Sequence, residues 1–182
     1  MSIDKISLYS LSEANLLFAK TYNGACWSLI EKKERSIEDT AKMISLAHAS
    51  MLHWSESREC TPANLQRGEF LISLAYLVAE RGELAYEHAK RCLDLTLNWP
   101  DSMVGFDFAY AYMIMARALA LTAQEDEAKE YLSKMVDATG ANKNERDRQI
   151  FLGDLQIGSW YGLTELASSI FSGLSASWGL TG

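Results

Sequence analysis

Two histidines on the second predicted helix, His48 and His53, come closest to the spacing of a metal site. Five residues of an α-helix correspond to about 500° of rotation, so the two rings point roughly 140° apart. Zinc-binding pairs on a helix use the i, i+4 spacing, which places both rings on one face. We therefore expect packed or capped histidines, and neither a metal ion nor another cofactor. His88 is isolated in the sequence, and we interpret it in the same way.

A small-ligand pocket is a second chemical possibility. Several polar or bulky residues interrupt the otherwise apolar helices two and three, and together they would line a pocket between those helices. They are His48, His53, Trp54, Arg67 and Glu69. Convergence of both histidines with Arg67 in a closed cavity would favour a ligand-binding protein or an enzyme, and scatter would favour an interaction protein.

Motifs of other chemistries are missing from the sequence. No serine has the context of a nucleophile elbow, and no glycine-rich loop precedes a helix in a phosphate-binding pattern. The two clusters of Lys and Arg, at residues 31–35 and 143–148, are interrupted by acids. The sequence therefore assigns no catalytic residue, and it favours a protein without enzymatic activity.

The composition of the chain limits which classes of protein it can belong to. The 182 residues are 48% hydrophobic and 23% charged, with a net charge of −7. An acidic surface opposes binding to nucleic acid and to anionic lipid. No signal-peptide pattern opens the sequence, and three cysteines without metal-type spacing, Cys26, Cys60 and Cys92, favour reduced thiols in the cytoplasm. Residues 103–121 are apolar, but Asp107 and Arg117 interrupt them, which predicts a buried helix and no membrane span.

Helical periodicity and capping residues predict an all-α fold of seven or eight helices. The clearest helical hairpin lies at residues 106–138, where a nearly apolar stretch is followed by a short polar break and an amphipathic stretch. We take this hairpin as the centre of the predicted fold. We expect one domain, residues 1–182, with hairpins at about 11–56, 62–98 and 104–139. Residues 145–175 would form C-terminal capping helices.

A repeat links the three hairpins. Small residues on the second helix of each pair, Ala41, Ala85 and Ala128, are separated by 44 and 43 residues. A near-constant period of helical hairpins is typical of an α-α superhelix. Paired helices approach closely only where side chains are short, so Ala116 on helix five is expected to face Ala128 on helix six.

These positions resemble the tetratricopeptide-repeat family. In the third hairpin, the positions that this family fills with Trp, Gly, Gly, Ala, an aromatic residue and Ala hold Tyr112, Ala116, Ala123, Ala128, Leu132 and Met135. In the second hairpin, the family's Tyr, Ala and Ala positions hold Tyr76, Ala85 and Cys92. The period is about ten residues longer than that of the family. Short strings, at residues 47–50, 53–54, 67–69 and 107–110, are also similar to uncharacterised bacterial proteins of this architecture.

The resemblance implies a concave face formed by the first helix of each pair. It would place there Asn23, Cys26, Ile30, Arg67, Phe70, Leu74, Tyr110, Met113 and Arg117. Arginine binds carboxylates in a bidentate fork, and aromatic residues supply contact area. We therefore expect Arg67, Phe70, Tyr110, Met113 and Arg117 to bind a protein or peptide segment of acidic character. Alternatively, the arginines pair with internal acids such as Glu69 or Asp107.

A C-terminal apolar stripe raises the question of assembly. Its residues are Leu163, Leu166, Ile170, Phe171 and Leu174, and they are expected to cover the last hairpin. If Trp160 and Trp178 make the outer side apolar as well, the helix would form a homodimer instead.

Overall fold

The computed structural model describes residues 10–140 and 142–180, and all regular structure within them is helical. Residues 1–9, which include the segment inspected for a signal peptide, and residues 141, 181 and 182 lie outside the described part. The described residues contain no strand, which confirms the all-α prediction and the expected number of helices. The helices are α1 (Leu11–Ile30), α2 (Ile37–Ser55), α3 (Pro62–Val78), α4 (Gly82–Asn98), α5 (Asp107–Leu121), α6 (Glu125–Thr139), α7 (Glu145–Leu155) and α8 (Thr164–Ser177). Two short 3₁₀ helices, Pro100–Ser102 and Tyr161–Leu163, precede α5 and α8.

The first three helices begin at capping boxes. In each box a side-chain oxygen of the N-cap accepts from a backbone N–H three residues on, and the side chain of that later residue accepts from the N-cap backbone. The pairs are Ser10 with Glu13, Ser36 with Asp39, and Thr61 with Asn64. These contacts are local, so the sequence alone fixes where the three helices start.

Consecutive helices form antiparallel hairpins. At one end of the α1–α2 pair the Cys26 thiol donates to the Met43 carbonyl at 3.4 Å, and at the other end the Ser50 hydroxyl donates to the Ala19 carbonyl at 2.9 Å. The α3–α4 pair is joined in the same sense by the Ser73 hydroxyl and the Ala85 carbonyl, 2.7 Å apart. Further contacts join α2 to α3, α4 to α5, and α3 to α5, so the hairpins stack in chain order.

The turns inside the second and third hairpins have the same backbone geometry. Glu80 (φ 55°) and Ala123 (φ 61°) are left-handed and stand 43 residues apart. The N–H of the residue after each, Arg81 and Gln124, donates across the helix end to a carbonyl five residues back, at 2.9 Å in both turns. This is the Schellman arrangement. The separation of these two turns, 43 residues, equals the separation of Ala85 and Ala128 in the same two hairpins.

The buried positions of α2 differ from the sequence-based alignment. Ala41 and Ser45 are exposed, whereas Met43 and Ala47 are fully buried against the core. Ala41 is therefore not a buried counterpart of Ala85, and the first of the two offsets does not mark a repeated packing position. Alanines recur along α2, so a small residue alone does not set the register there.

The middle of the core is α5. Eleven of its fifteen residues are buried, because α3, α4, α6 and the second 3₁₀ helix all contact it. Ala116 and Ala128 are both fully buried, as short side chains at a close helix contact require. No helix in residues 10–140 and 142–180 is long and apolar enough to cross a membrane.

The two C-terminal tryptophans pack inward. Trp160 is 5% exposed, and its ring lies 5.2 Å from that of Phe171. Trp178 lies 5.8 Å from Phe106 and beneath the guanidinium of Arg148. These contacts lie within the chain, and the homodimer stays a prediction. Leu166, 42% exposed, is the large apolar residue that α8 leaves at the surface.

Replacing Ala123 by glycine should stabilise the protein. A left-handed conformation costs an L-residue about 1–2 kcal/mol, and glycine is free of that cost. After allowance for the entropy of glycine in the unfolded chain, we expect a gain of about 0.5–1 kcal/mol in the free energy of unfolding, measured by urea denaturation. The matched control is Ala41→Gly, at an exposed helical position, which should lose about 0.5–1 kcal/mol. A destabilised Ala123→Gly protein would contradict the assigned turn geometry.

Candidate functional site

A cleft of about 240 Å³ opens on the side of the protein formed by the first helix of each hairpin and by α7. Asn23 and Trp27 come from α1, and Asp154 comes from α7. From α3 and α5 come Gln66, Arg67, Phe70, Leu71, Asp107 and Tyr110. Within each helix these residues are spaced by one, three, four or five positions, so each helix contributes one stripe of its surface.

Two neighbouring clefts share lining residues with this one. A neighbouring cleft of about 210 Å³ is lined by Asn23 and Arg67 together with Lys20, Trp54, Asn64 and Gly68. Another cleft, of about 630 Å³, shares Arg67, Asp107 and Tyr110 and adds Val104, Gly105, Phe106, Asp147 and Ile150. Arg67 lines all three clefts. We refer to the three together as the groove, and to the first as the central cleft.

Aromatic rings form the apolar wall of the central cleft. The rings of Trp27 and Phe70 are stacked, with centroids 6.4 Å apart, and Tyr110 meets Phe70 edge-on at 5.1 Å. Phe151 supports Tyr110 from behind, at 5.0 Å. These contacts hold the rings in place before any ligand arrives, which lowers the entropic cost of binding.

Arg67 is committed to an ion pair with Asp107. Its Nε and Nη2 donate to the two carboxylate oxygens, each at 2.9 Å, and the N–H of Val104 adds a third bond to the same carboxylate at 2.9 Å. The pairing raises the pKa of Arg67. Of the two possibilities open from the sequence, Arg67 therefore takes the internal one, with Asp107 as its partner.

Asp154 lies opposite this pair. The Tyr110 hydroxyl donates to its Oδ2 at 2.7 Å. Burial raises the pKa of Asp154, and burial together with the adjacent Asp154 carboxylate raises the pKa of Tyr110. Tyr110 is therefore the proton donor of the pair at neutral pH. With Arg67 and Asp107 neutralising each other, Asp154 leaves the central cleft with a formal charge of −1.

Gln66 contributes an acceptor without a partner. Its Nε2 donates to the backbone carbonyl of Asp107 at 3.1 Å, which orients the amide. Its Oε1 is buried and has no hydrogen-bond partner among the described residues. A buried unpaired acceptor costs about 1–3 kcal/mol. Gln66 thus adds a buried, unpaired acceptor to the lining of the central cleft.

Two of the five residues that the sequence predicted to bind a segment lie elsewhere, and three others of the predicted concave face, Cys26, Ile30 and Leu74, are buried in the core. Met113 is fully buried in the core. Arg117 is 1% exposed, and its Nη2 donates to the Ile157 carbonyl at 2.6 Å while its guanidinium packs over Trp160, 5.3 Å from the ring centroid. Burial lowers the pKa of Arg117 to about 10, so it remains charged at neutral pH. Neither side chain lines the groove.

The histidines occupy two separate environments. The Nε2 of His48 lies 3.0 Å from the Tyr76 hydroxyl, and its ring lies 5.4 Å from that of His88. The Nδ1 of His88 in turn meets Glu69 at 2.6 Å, in a buried pair. This cluster joins α2, α3 and α4. Burial and the nearby His88 lower the pKa of His48.

His53 belongs to the α1–α2 contact instead. Its Nδ1 lies 2.8 Å from Asn15 Oδ1, and its ring packs on Phe18 and Tyr22. Trp54 lines the groove beside Arg67, whereas Glu69 faces α4. The five residues considered for a pocket between helices two and three therefore do not share one cavity. No group of three or more His, Cys, Asp or Glu within residues 10–140 and 142–180 is arranged to hold a metal ion.

The sequence indicated part of the central cleft and missed the rest. Trp27 stands one helical turn after Asn23, a residue that the repeat placed on the concave face, so its position could have been found. The sequence provided no such indication for Asp154, because α7 was predicted to be a capping helix and not to line the cleft together with α1, α3 and α5. Gln66 was missed because a single uncharged polar residue beside an arginine is not distinctive.

Comparison of the chain with protein-family models, with characterised proteins and with solved structures finds no match in any of the three. The geometry of the groove is therefore the basis for a functional proposal.

We expect Arg117 to stabilise the fold. Arg117→Ala should leave a cavity beside Trp160 and release the Ile157 carbonyl, at a cost of about 2–5 kcal/mol in the free energy of unfolding. Arg117→Met fills similar space without a buried charge, so it should cost much less or nothing. Urea denaturation of both variants measures the difference. An alanine variant as stable as the parent would contradict the packing described for this side chain.

Asp154→Asn should stabilise the protein at neutral pH. Because burial raises the pKa of Asp154 in the folded state, the folded protein binds its proton more tightly than the unfolded chain does. Stability from this group is therefore greatest below the unfolded pKa and decreases as the pH rises through the folded pKa. The advantage of the asparagine variant should be present at pH 7 and vanish at pH 3, as followed by thermal unfolding. A variant that is less stable at pH 7 would show that the ionised carboxylate stabilises the fold.

Proposed function

We propose that this chain is a non-enzymatic interaction module of tetratricopeptide-like type, which holds a segment of another polypeptide in the groove. One observation carries the proposal. Three clefts that share Arg67 lie on the face to which α1, α3, α5 and α7 contribute. An extended chain advances about 3.3 Å per residue and fills a succession of clefts, whereas a small molecule fills one.

The tetratricopeptide-like arrangement is supported by the stacking of the hairpins. The first helices contact each other in order, α1 with α3 and α3 with α5, so they can form one continuous face. The repeated left-handed turns at Glu80 and Ala123 support a regular hairpin-to-hairpin relation. Helical-repeat proteins use such a face for binding because every repeat adds surface to it.

The placement of the polar residues favours an interaction module over an enzyme. His48 and His88 pair with Tyr76 and Glu69, while His53 packs at the α1–α2 contact. A catalytic site needs its acids, bases and nucleophiles within hydrogen-bond reach of one substrate position. The groove instead presents aromatic area with a few fixed polar groups, which is the composition of a recognition surface.

The charge argument for an acidic partner does not apply to this groove. That expectation rested on Arg67 and Arg117. The guanidinium group of Arg67 is paired with Asp107, and that of Arg117 is buried against the Ile157 carbonyl. The proposal therefore keeps a polypeptide partner bound at this face. The charge of that partner must be inferred from the other charged residues of the groove.

Selection from a random peptide display library tests the proposal. Peptides should be enriched on the parent protein and lost on Asn23→Trp, because an indole at residue 23 fills the point where two clefts join. The matched control is Ser28→Trp, an exposed position on the same helix about 140° away from Asn23, which should retain binding. All three proteins should show equal thermal unfolding. Failure to enrich any peptide, or enrichment that Asn23→Trp leaves unchanged, would rule out the groove as a polypeptide-binding site.

A further inference from the structure

We infer that the central cleft selects an arginine side chain of the bound segment, with Asp154 and Gln66 as acceptors and the aromatic wall as its stacking surface. This inference rests on the proposed function, since it names the chemistry of the segment that the groove would hold. Four observations support it: the residual charge of the central cleft, its unpaired acceptor, its aromatic rings and its size.

The residual charge of the central cleft is negative. Its ionisable side chains are Arg67, Asp107, Tyr110 and Asp154. Arg67 and Asp107 form a two-point ion pair, and the hydroxyl of Tyr110 donates to Asp154. The carboxylate of Asp154 therefore has no cation beside it among the described residues of the cleft. A basic group entering the cleft would supply one, whereas a carboxylate would be repelled.

Two side chains of the central cleft can accept further hydrogen bonds. Asp154 receives one hydrogen bond, through Oδ2, and the buried Oε1 of Gln66 receives none. A guanidinium group carries five N–H donors in a fixed plane and has no acceptor. It can therefore pair with a carboxylate and still reach a second acceptor. An ammonium group carries three donors on a single nitrogen, so it is expected to be the weaker ligand.

The aromatic wall suits a planar cation. Trp27, Phe70 and Tyr110 are already packed on one another, and the faces of such rings carry partial negative charge. Guanidinium groups stack on these faces and lose less hydration than ammonium groups when they do so. A single water molecule needs about 10–15 Å³ of such cleft volume, so a cleft of about 240 Å³ has room for a side chain rather than for one ion.

The surroundings of the central cleft favour the same sign of charge. Asp147 lines the adjoining cleft, and the whole chain carries a net charge of −7. Lys20 and Arg67 are the cations that line the groove, and Arg67 is already paired. A basic segment would therefore be attracted at long range and would find its carboxylate at the central cleft.

Blocked tripeptides that differ in one side chain test the inference. We would titrate the ¹⁵N-labelled full chain with Ac-Gly-Arg-Gly-NH₂ and with its Lys, Glu and Leu counterparts, and follow the indole N–H of Trp27 by NMR. The arginine peptide should bind most tightly, the lysine peptide more weakly, and the glutamate peptide not at all. Free L-arginine is a fifth probe. Binding as tight as that of the blocked peptide would overturn the polypeptide source of the guanidinium group.

Asp154→Asn supplies the decisive variant, because it separates binding from folding. It should weaken the arginine peptide by at least about tenfold, as expected for a charged hydrogen bond, while thermal stability at pH 7 rises. Asp94→Asn changes the net charge equally at an exposed position on α4, and should alter binding by less than about twofold. Unchanged binding by Asp154→Asn would overturn the role of this carboxylate.

Failure of the inference and failure of the proposed function give different results. Binding of the glutamate or leucine peptide at Trp27 as tightly as the arginine peptide would overturn arginine selectivity and leave the groove as a polypeptide site. Display-selected peptides that occupy the groove without arginine would do the same. Absence of any binding at Trp27, from tripeptides and from display-selected peptides alike, would overturn both.

Discussion

The carboxylate of Asp107 joins the parts of the protein that form the groove. It stands in the first turn of α5, where a negative charge suits the helix dipole, and it accepts from Arg67 of α3 and from the backbone of Val104. The backbone carbonyl of the same residue accepts from Gln66. Two consecutive residues of α3 are thereby tied to one residue of α5. The distance between these helices, and with it the width of the central cleft, depends on this small set of bonds.

This arrangement reverses the apparent charge of the binding face. In the sequence, Arg67 has no evident partner on the predicted concave face and suggests a site for an acidic ligand. Its partner lies 40 residues away, and once the two are paired the carboxylate of Asp154 determines the sign of the central cleft. An ion pair of this kind is long-range in sequence but local in space, so charge patterning along one helix could not reveal it.

Local chemistry explains which structural features the sequence predicted. Capping boxes, the proline at the start of α3 and the polar break before α6 act within a few residues, and the helices follow them closely. Phe70 and Tyr110 were placed on the groove because helical repeats expose their first helices. Arg117 was misplaced for a tertiary reason, since Ile157 and Trp160 of the loop after α7 cover that end of α5 and bury its guanidinium. The register of α2 failed for a similar reason, because only the packing against α1 distinguishes Met43 from Ala41.

Polar groups that lack full hydrogen-bond or charge partners occur at two kinds of place in this protein, and they imply different roles. Arg117 has nitrogens without partners, but Trp160 and the loop around Ile157 enclose it, so no ligand reaches it and its cost is borne by the fold. Gln66 and Asp154 also carry costs. The Oε1 of Gln66 is as buried as the unpaired nitrogens of Arg117, but the side chains of Gln66 and Asp154 line a cleft that opens to solvent. A ligand with donors would remove those costs on binding, so the same groups that weaken the free protein would strengthen its complex. Proteins commonly keep such locally unfavourable groups where function requires them. An unpaired acceptor in the wall of an open cleft therefore argues for a ligand. An unpaired polar group in a sealed interior argues only for strain.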